Sequence, residues 1–247
     1  MNELRRSLSR RYPGFVELGL AVALYAIYEF VRGFGSTSLP LARAHTDEIV
    51  SLERTLHLFV ERSVQDGAHA VPVLPALLGF LYLALHLIGT SLALIWVYRK
   101  HPDRFPLVRT TIVAATALSL VIYVLYPAAP PRLAGLGFAD TVTHSAHLNL
   151  SSNLLGSFYN PFAAVPSLHF GYSLIVGVAI AAYAERRWAR IAGALYPALM
   201  LFIIVATGNH FLFDAAAGGL VVVASWWIAR RLVEQREPTR RRTLVTA

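Results

Sequence analysis

Three clusters of polar residues have the composition of a catalytic site. His210 and Asp214 are four residues apart at the start of an apolar run, so on a helix their side chains share one face. The aspartate can accept a hydrogen bond from one imidazole nitrogen, which leaves the other nitrogen as a nucleophile. His169 can act as the general acid for a leaving alkoxide, and Arg132 can bind phosphate oxygens.

Two further polar residues precede apolar segments. Ser167 and Asn209 occupy helix-cap positions, and Pro166 is suited to the start of a helix. Two helix N-termini with free amide donors would form an anion site, so we expect Ser167 and Asn209 to contribute to phosphate binding. His86 lies in the middle of an apolar segment, and we expect it to form a hydrogen bond inside the bundle.

The composition is that of a membrane protein. Of the 247 residues, 56% are hydrophobic and 15% are charged, and the mean hydropathy is +0.53. Soluble domains average about 45–50% apolar and about 25% charged residues. Cysteine is absent, which excludes disulfides, thiolate metal sites and cysteine nucleophiles. The arginines behind the net charge of +8 lie beside apolar runs, which indicates contact with lipid headgroups and not with nucleic acid.

Six apolar segments are long enough to cross a bilayer. We therefore predict an all-α integral membrane protein, with a single transmembrane domain over residues 1–247 that ends in an arginine-rich tail, 234–247. We expect the first segment to be a membrane helix and not a cleaved signal peptide. The segments are about 15–33, 72–98, 107–129, 167–184, 190–207 and 210–233.

Residues 46–66 are expected to form an amphipathic helix at the membrane interface. Apolar residues recur at three- and four-residue spacing, and charged residues occupy the other positions. The pattern fits an interfacial spacer or a substrate gate. The apolar residues are Ile49, Leu52, Leu56, Phe59 and Val60, and the charged ones are Glu48, Glu53, Arg54, Glu61 and Arg62.

The distribution of positive charge predicts the orientation in the membrane. Seventeen of the 22 Lys and Arg residues lie in four segments that the six spans would place on one side. The positive-inside rule makes that side cytoplasmic, with both termini, and places all three polar clusters at the outer face of what we expect to be the plasma membrane. The four segments are the N-terminus, 99–109, 185–190 and the residues after 229.

The polar clusters resemble the three motifs of the type-2 phosphatidic acid phosphatase superfamily, which are Lys-x6-Arg-Pro, Pro-Ser-Gly-His and Ser-Arg-x5-His-x3-Asp. The matching elements are Arg132, Pro166-Ser167-Leu168-His169 and His210-x-x-x-Asp214. The resemblance implies that His210 is a nucleophile that forms a phosphohistidine, that Asp214 orients it, and that His169 protonates the leaving group. It also implies that no metal and no other cofactor is needed.

This chain departs from the family pattern at several positions. Leu125 and Leu133 replace the Lys and the Pro of the first motif, and Leu168 replaces the Gly of the second. Ile203 and Ile204 replace the Ser-Arg of the third. These changes resemble the branch that contains inositol phosphorylceramide synthase, which moves phospho-headgroups between lipids. One arginine with helix-end amides also suits a phosphodiester, which carries one negative charge, better than a phosphomonoester.

The sequence therefore predicts a membrane enzyme that cleaves a lipid-linked phosphoester and passes the phospho group to water or to another alcohol. A plain phosphatase for lipid phosphomonoesters is the nearest alternative. A second is a zinc-type hydrolase with His169, His210 and Asp214 as ligands. A third is a transporter with intramembrane polar residues, although no inverted repeat is evident. The oligomeric state is not predicted.

Overall fold

The computed structural model describes residues 38–145 and 161–235, together with the isolated Gly19. The described residues from Ser38 onward belong to one compact unit. Eight helices occur in these ranges, with a short 3-10 turn at Pro131–Leu133. They are α1 (Leu39–Thr55), α2 (Glu61–His69), α3 (Leu74–Lys100), α4 (Phe105–Leu125), α5 (Thr141–Ser145), α6 (Leu168–Tyr183), α7 (Arg187–Ala206) and α8 (Leu212–Glu234).

Four of these helices, α3, α4, α7 and α8, are long and apolar enough to cross a membrane. Helix α6 is equally apolar but has 16 residues, about 24 Å at 1.5 Å per residue, which is shorter than a typical hydrocarbon core. These five helices correspond to the second to sixth predicted segments, with ends shifted by a few residues. The first predicted segment, 15–33, lies outside the described residues. The structure therefore supports a membrane protein with four spanning helices by length and composition.

The five long apolar helices pack into one bundle, and large apolar side chains on its outside are exposed. Leu87, Leu92, Leu195 and Leu220, for example, are each about three-fifths exposed or more. In a membrane protein such surface faces lipid, because hydrocarbon tails are as apolar as leucine. The interior of the bundle is formed by residues such as Val97, Ala115, Ile175, Met200 and Ile204.

Helix α3 contains one π-helical turn, Leu85–Gly89, between its α-helical parts Leu74–Ala84 and Thr90–Lys100. Such a turn inserts an extra residue into the helix and is frequent at functional sites. It carries His86, one turn after Tyr82. The turn therefore contributes to where His86 lies relative to Tyr82.

Helices α1 and α2 replace the single amphipathic helix expected over 46–66. The chain breaks at residues 56–60, where His57 has a φ of 59° and the amide of Leu58 donates to the carbonyl oxygen of Glu53. The buried face of α1 also differs from the predicted one: Leu52 and Leu56 are exposed, whereas Ile49, Val50 and Glu53 are buried. Ile49 and Val50 pack against Ala128, Ala164 and Phe211 at one end of the bundle. The helix pair therefore lies against the loops at that end.

A five-residue turn, 207–211, joins α7 to α8. Gly208 has a φ of 68°, a left-handed conformation that suits glycine because it has no Cβ. A Cβ at this position would lie 2.7 Å from Nε2 of Gln65 in α2. Gln65 donates to the carbonyl of Ala139 at 3.1 Å and accepts from its amide at 2.8 Å. The turn is therefore enclosed by α2 and by the segment before α5.

Candidate active site

The ends of four helices meet at the end of the bundle that α1 and α2 cover. They are the C-terminal ends of α4 and α7 and the N-terminal ends of α6 and α8. All six predicted site residues lie there, although they are spread over 83 positions of sequence from 132 to 214. They are Arg132, Ser167, His169, Asn209, His210 and Asp214.

Asp214 in the first turn of α8 forms a buried pair with His210, which precedes the N-cap Phe211 and so lies in the turn before the helix and not on the helix face that the sequence predicts. Nδ1 of His210 lies 3.2 Å from Oδ2 of Asp214 and 3.1 Å from the carbonyl oxygen of Ala164. Because a carbonyl oxygen only accepts, Nδ1 is the ring nitrogen that carries the proton, and Nε2 keeps its lone pair. The imidazole is 5% exposed and the carboxylate is completely buried. The geometry is that of an oriented histidine nucleophile or base.

Asp214 also caps the start of its own helix. Its Oδ2 accepts from the amide of Phe211 at 2.9 Å, three residues earlier. Its main-chain carbonyl accepts from the amide of Ser167 at 2.9 Å, which joins α8 to the start of α6. Gly218 permits this approach, because a Cβ there would collide with the carbonyl oxygen of Ser167. The two histidine-bearing helix starts are therefore fixed to each other.

Arg132 reaches the site from the loop after α4. Its guanidinium donates to Oδ1 of Asn209, lies 3.7 Å from a carboxylate oxygen of Asp140, and is 4% exposed. Its amide donates to the carbonyl of Gly208 at 3.0 Å. Burial lowers the pKa of the guanidinium from its ordinary value, while Tyr82 and Asp140 act in the opposite direction. Arg132 therefore supplies a buried positive charge beside the 207–211 turn.

Ser167 and Asn209 are both buried and both engaged by protein groups. Ser167 is the N-cap of α6, as expected, and its hydroxyl accepts from the amide of Phe170 at 3.3 Å. Asn209 is not a helix cap, because the N-cap of α8 is Phe211. Its side-chain amide instead donates to the hydroxyl of Thr207 at 2.8 Å and its oxygen holds Arg132. Phosphate binding by Ser167 and Asn209 remains a prediction.

His169 lies between two aromatic rings of α3. The ring centroids of Tyr82 and of His86 are each 4.0 Å from the His169 centroid, with interplanar angles of 14° and 27°. His86 also stacks on Tyr172 at 5.2 Å. Nδ1 of His86 has no hydrogen-bond partner in the described part of the chain, and the ring is held by stacking. The centroid of the His169 ring is 5.8 Å from that of His210.

The N-terminus of α8 is not the free anion site that the sequence suggested. The amide of Leu212 donates to Oε1 of Glu61 at 2.9 Å, and that of Phe213 donates to Oε1 of Glu53 at 2.7 Å. With Asp214 on the amide of Phe211, three protein carboxylates occupy the first three amides. A phosphate at this site must therefore be held by other groups, such as Arg132.

The sequence analysis did not identify Glu53 and Glu61 as site residues, because it assigned them to a polar helix face. It also gave Tyr82 and His86 no contact with His169. A signal for Glu53 was present. Ala42, Thr46, Ile49, Val50 and Glu53 recur with helical spacing, and all five are buried. The large apolar side chains of Leu52 and Leu56 obscured this face. No comparable pattern identified Glu61, since the break at residues 56–60 resets the helical register.

A metal site finds no support in residues 38–145 and 161–235, where no three His, Cys, Asp or Glu side chains form a group that could hold an ion. His169, His210 and Asp214 lie in one region. However, His210 uses Nδ1 for Asp214, and His169 is stacked between rings. The arrangement favours acid–base and nucleophilic chemistry over metal ligation.

The fold and the site define an all-helical membrane protein with a histidine–aspartate pair, a second histidine and an arginine at one end of the bundle. The chain belongs to the PAP2 superfamily, whose family model matches residues 47–228 and so includes every predicted site residue. This confirms the superfamily resemblance and favours phosphatase-type chemistry over a transporter. No curated protein and no solved structure matches the chain.

Proposed function

We propose that this protein cleaves a lipid-linked phosphoester through a phosphohistidine on His210 and passes the phospho group to a lipid or other alcohol, or to water. The observation that carries the proposal is the pairing of Nδ1 of His210 with two acceptors, Asp214 and the carbonyl of Ala164. This pairing leaves Nε2 as the nucleophilic nitrogen. The superfamily membership supports a phosphoester as the substrate.

The reaction has two steps. In the first, Nε2 of His210 forms a bond to phosphorus while the phosphorus–oxygen bond to the leaving alcohol breaks, and His169 donates a proton to that oxygen. In the second, water or an acceptor alcohol attacks the phosphohistidine, gives its proton to His169, and restores the free imidazole. Arg132 offsets the negative charge on the phosphoryl oxygens, and Asp214 stabilises the positive charge on the imidazole.

The charges around the site favour a phosphodiester substrate and the lipid phosphotransferase branch. The two motif positions that lack a cation carry apolar side chains: Leu125 is 74% exposed at the end of α4, and Ile204 is completely buried in the core. Arg43 donates to the carbonyl of Leu133, and Arg62 to that of Gly137. Arg132 then faces the substrate as the main cation, which suits a diester with one negative charge.

We also propose that the site faces outward from the plasma membrane, with both termini in the cytoplasm. Arg99, Lys100, Arg104, Arg187 and Arg230 lie at the end of the bundle opposite the site. The positive-inside rule makes that end cytoplasmic. The substrate would then enter from the outer leaflet, where lipid headgroups and the buried histidines are at similar depth.

The test is to trap the covalent intermediate. Purified protein is incubated with lipid phosphodiesters and monoesters labelled at phosphorus, quenched in alkali, and assayed for label on the protein, because phosphohistidine survives alkali and is lost in acid. We expect acid-labile label on the wild type and none on His210→Ala. The matched control is His57→Asn, because His57 is an exposed histidine whose positive φ asparagine tolerates. Turnover by a His210→Ala variant would refute the proposal.

A further inference from the structure

Two buried glutamates, Glu53 of α1 and Glu61 of α2, meet at the start of α8. Glu53 is 2% exposed and Glu61 is completely buried. Each uses Oε1 to accept from one main-chain amide of α8, Phe213 for Glu53 and Leu212 for Glu61. Two helices that cover the site are thus attached through carboxyl groups to the first turn of α8, which carries Asp214 and directly follows His210.

The second oxygen of each glutamate is also buried, and among the described residues neither Oε2 has a donor. Two buried acceptors without a donor are costly, since each loses its hydrogen bonds with water. The two carboxyl groups are neighbours, because they accept from the amides of the adjacent residues Leu212 and Phe213, and Glu61 is among the groups that raise the pKa of Glu53. A hydrogen bond between two carboxyl groups requires a proton on one of them, and a single proton supplies the donor that both Oε2 atoms lack.

We propose that Glu53 and Glu61 share one proton between their Oε2 atoms, and that this acid–carboxylate pair positions the start of α8 and thereby His210 and Asp214. Both glutamates are positioning residues and neither contacts the substrate. The effect on turnover rests on the proposed function, whereas the shared proton does not.

The charges that face the pair support its protonation. Burial is the main cause that raises the pKa of Glu53 from 4.5 to about 8, the amide of Phe213 acts in the opposite direction, and Glu61 and Asp214 raise it further. Asp214 of α8 is bonded by His210 from the turn before α8, and on α1 the neighbouring Arg54 lies over the ring of Phe59. Negative charge therefore dominates around Glu53.

The direction of the pH dependence follows from the raised pKa. The stabilisation that the proton contributes is complete below the ordinary carboxyl pKa of 4.5 and is lost as the pH rises through about 8. Above that pH two carboxylates face each other without a donor, and their repulsion separates α1 and α2 from the start of α8. His210 then loses its fixed position relative to His169.

Infrared difference spectra of the full-length protein in detergent test the shared proton without any assay of activity. Between about pH 6 and about pH 10, ordinary carboxyl groups are already ionised, so a carboxylic acid band lost in this range reports a buried acid. We expect the wild type to lose one such band with a midpoint near 8, and Glu53→Gln and Glu61→Gln to lack it. Asp47→Asn removes an exposed carboxylate of α1 and should keep the band. A band that persists in both glutamine variants, or a wild type without one, would overturn the shared proton.

Activity against pH tests the positioning role. We expect wild-type activity to fall about tenfold for each pH unit above the pKa of the pair. Glu53→Gln should remove this loss, because its side-chain amide donates to Glu61 at every pH while its oxygen still accepts from Phe213. Glu53→Ala, which can do neither, should be impaired throughout. Superimposed profiles for wild type and Glu53→Gln would refute the positioning role. A wild type that is inactive on every phosphoester would refute the proposed function and leave the infrared result to decide the pair.

Discussion

The carboxylate of Asp214 holds both the ring of His210, through Nδ1 at 3.2 Å, and the amide of Phe211, at 2.9 Å, with the same oxygen. One side chain therefore orients the nucleophile and caps helix α8, which begins just after the nucleophile. The carbonyl of Ala164 receives the same Nδ1 proton at 3.1 Å. The ring is thus fixed by two elements, α8 and the segment that leads into α6.

Replacing Asp214 should abolish most turnover without unfolding the protein. Asp214→Asn keeps an oxygen for the amide of Phe211 but can no longer stabilise a positive imidazole. We expect kcat to fall by about 10³-fold or more, as for other catalytic histidines whose orienting carboxylate becomes an amide. KM should change by less than about threefold, because the carboxylate does not bind substrate. The steady-state rates and the melting temperature are the measurements, and a kcat near that of wild type would contradict the assigned role.

The loss of rate on removing His169 should depend on the leaving group of the substrate. A positioned general acid contributes about 10²- to 10⁴-fold, so His169→Ala should lose that factor on alkyl phosphoesters. A p-nitrophenyl ester needs no proton on its leaving group and should be cleaved at a rate much closer to that of wild type. His57→Asn serves as the control and should leave both rates unchanged. Equal losses on the two substrates would show that His169 is not the acid.

The stacking of His86 and Tyr82 on His169 should contribute to catalysis because it keeps the His169 ring in place. Stacked aromatic pairs are worth about 0.5–1.5 kcal/mol, so His86→Ala should lower kcat by about 3- to 10-fold on alkyl esters. His86→Phe keeps a flat ring at the same place and should retain most activity. If His86→Phe were as impaired as His86→Ala, His86 would act through its nitrogen atoms and not through stacking.

Arg132 is the main cation of the site, and its single charge should determine whether phosphodiesters or phosphomonoesters are the better substrates. Arg132 offers a planar fork to phosphate oxygens, which lysine cannot reproduce. We expect wild type to have a higher kcat/KM for phosphodiesters than for matched monoesters, and Arg132→Lys to lower kcat/KM for both. The measurement is the ratio of the two efficiencies on a panel of lipids with a common tail. A strong wild-type preference for monoesters would make the protein a plain lipid phosphatase, with the histidine chemistry unchanged.

The orientation in the membrane can be tested with single cysteines, because the chain contains none. Asp47 lies on α1 at the site end of the bundle, and Asp103 lies in the turn between α3 and α4 at the other end, where it is 70% exposed. In intact cells an impermeant thiol reagent should label Asp47→Cys at once and Asp103→Cys only after the membrane is opened. The reverse pattern would place the site in the cytoplasm.

Much of the helical bundle could be predicted from the sequence because its signal is local. An apolar segment such as 107–129 can cross a bilayer only as a helix, since every main-chain polar group must be satisfied within the segment. The structure has α4 at Phe105–Leu125, close to that segment. The His210–Asp214 pair was also predicted, but on a different local structure: His210 precedes the N-cap Phe211, so the pair forms across the helix cap and not along one helix face. The order of the polar clusters along the chain further placed them at one end of the bundle.

Only the tertiary structure decided which groups accept hydrogen bonds from the first amides of α8 and which rings stack on His169. Glu53 and Glu61 lie about 160 and 150 residues before the amides they bind, and their separate helices meet α8 through packing that no periodicity encodes. The same holds for Tyr82 and His86, which reach His169 from α3 through a π-helical turn. Periodicity describes the face of one helix, whereas these contacts depend on how α1, α2, α3, α6 and α8 pack together. For this reason the residue types and spacing indicated the chemistry, and the packing determined the environment in which that chemistry takes place.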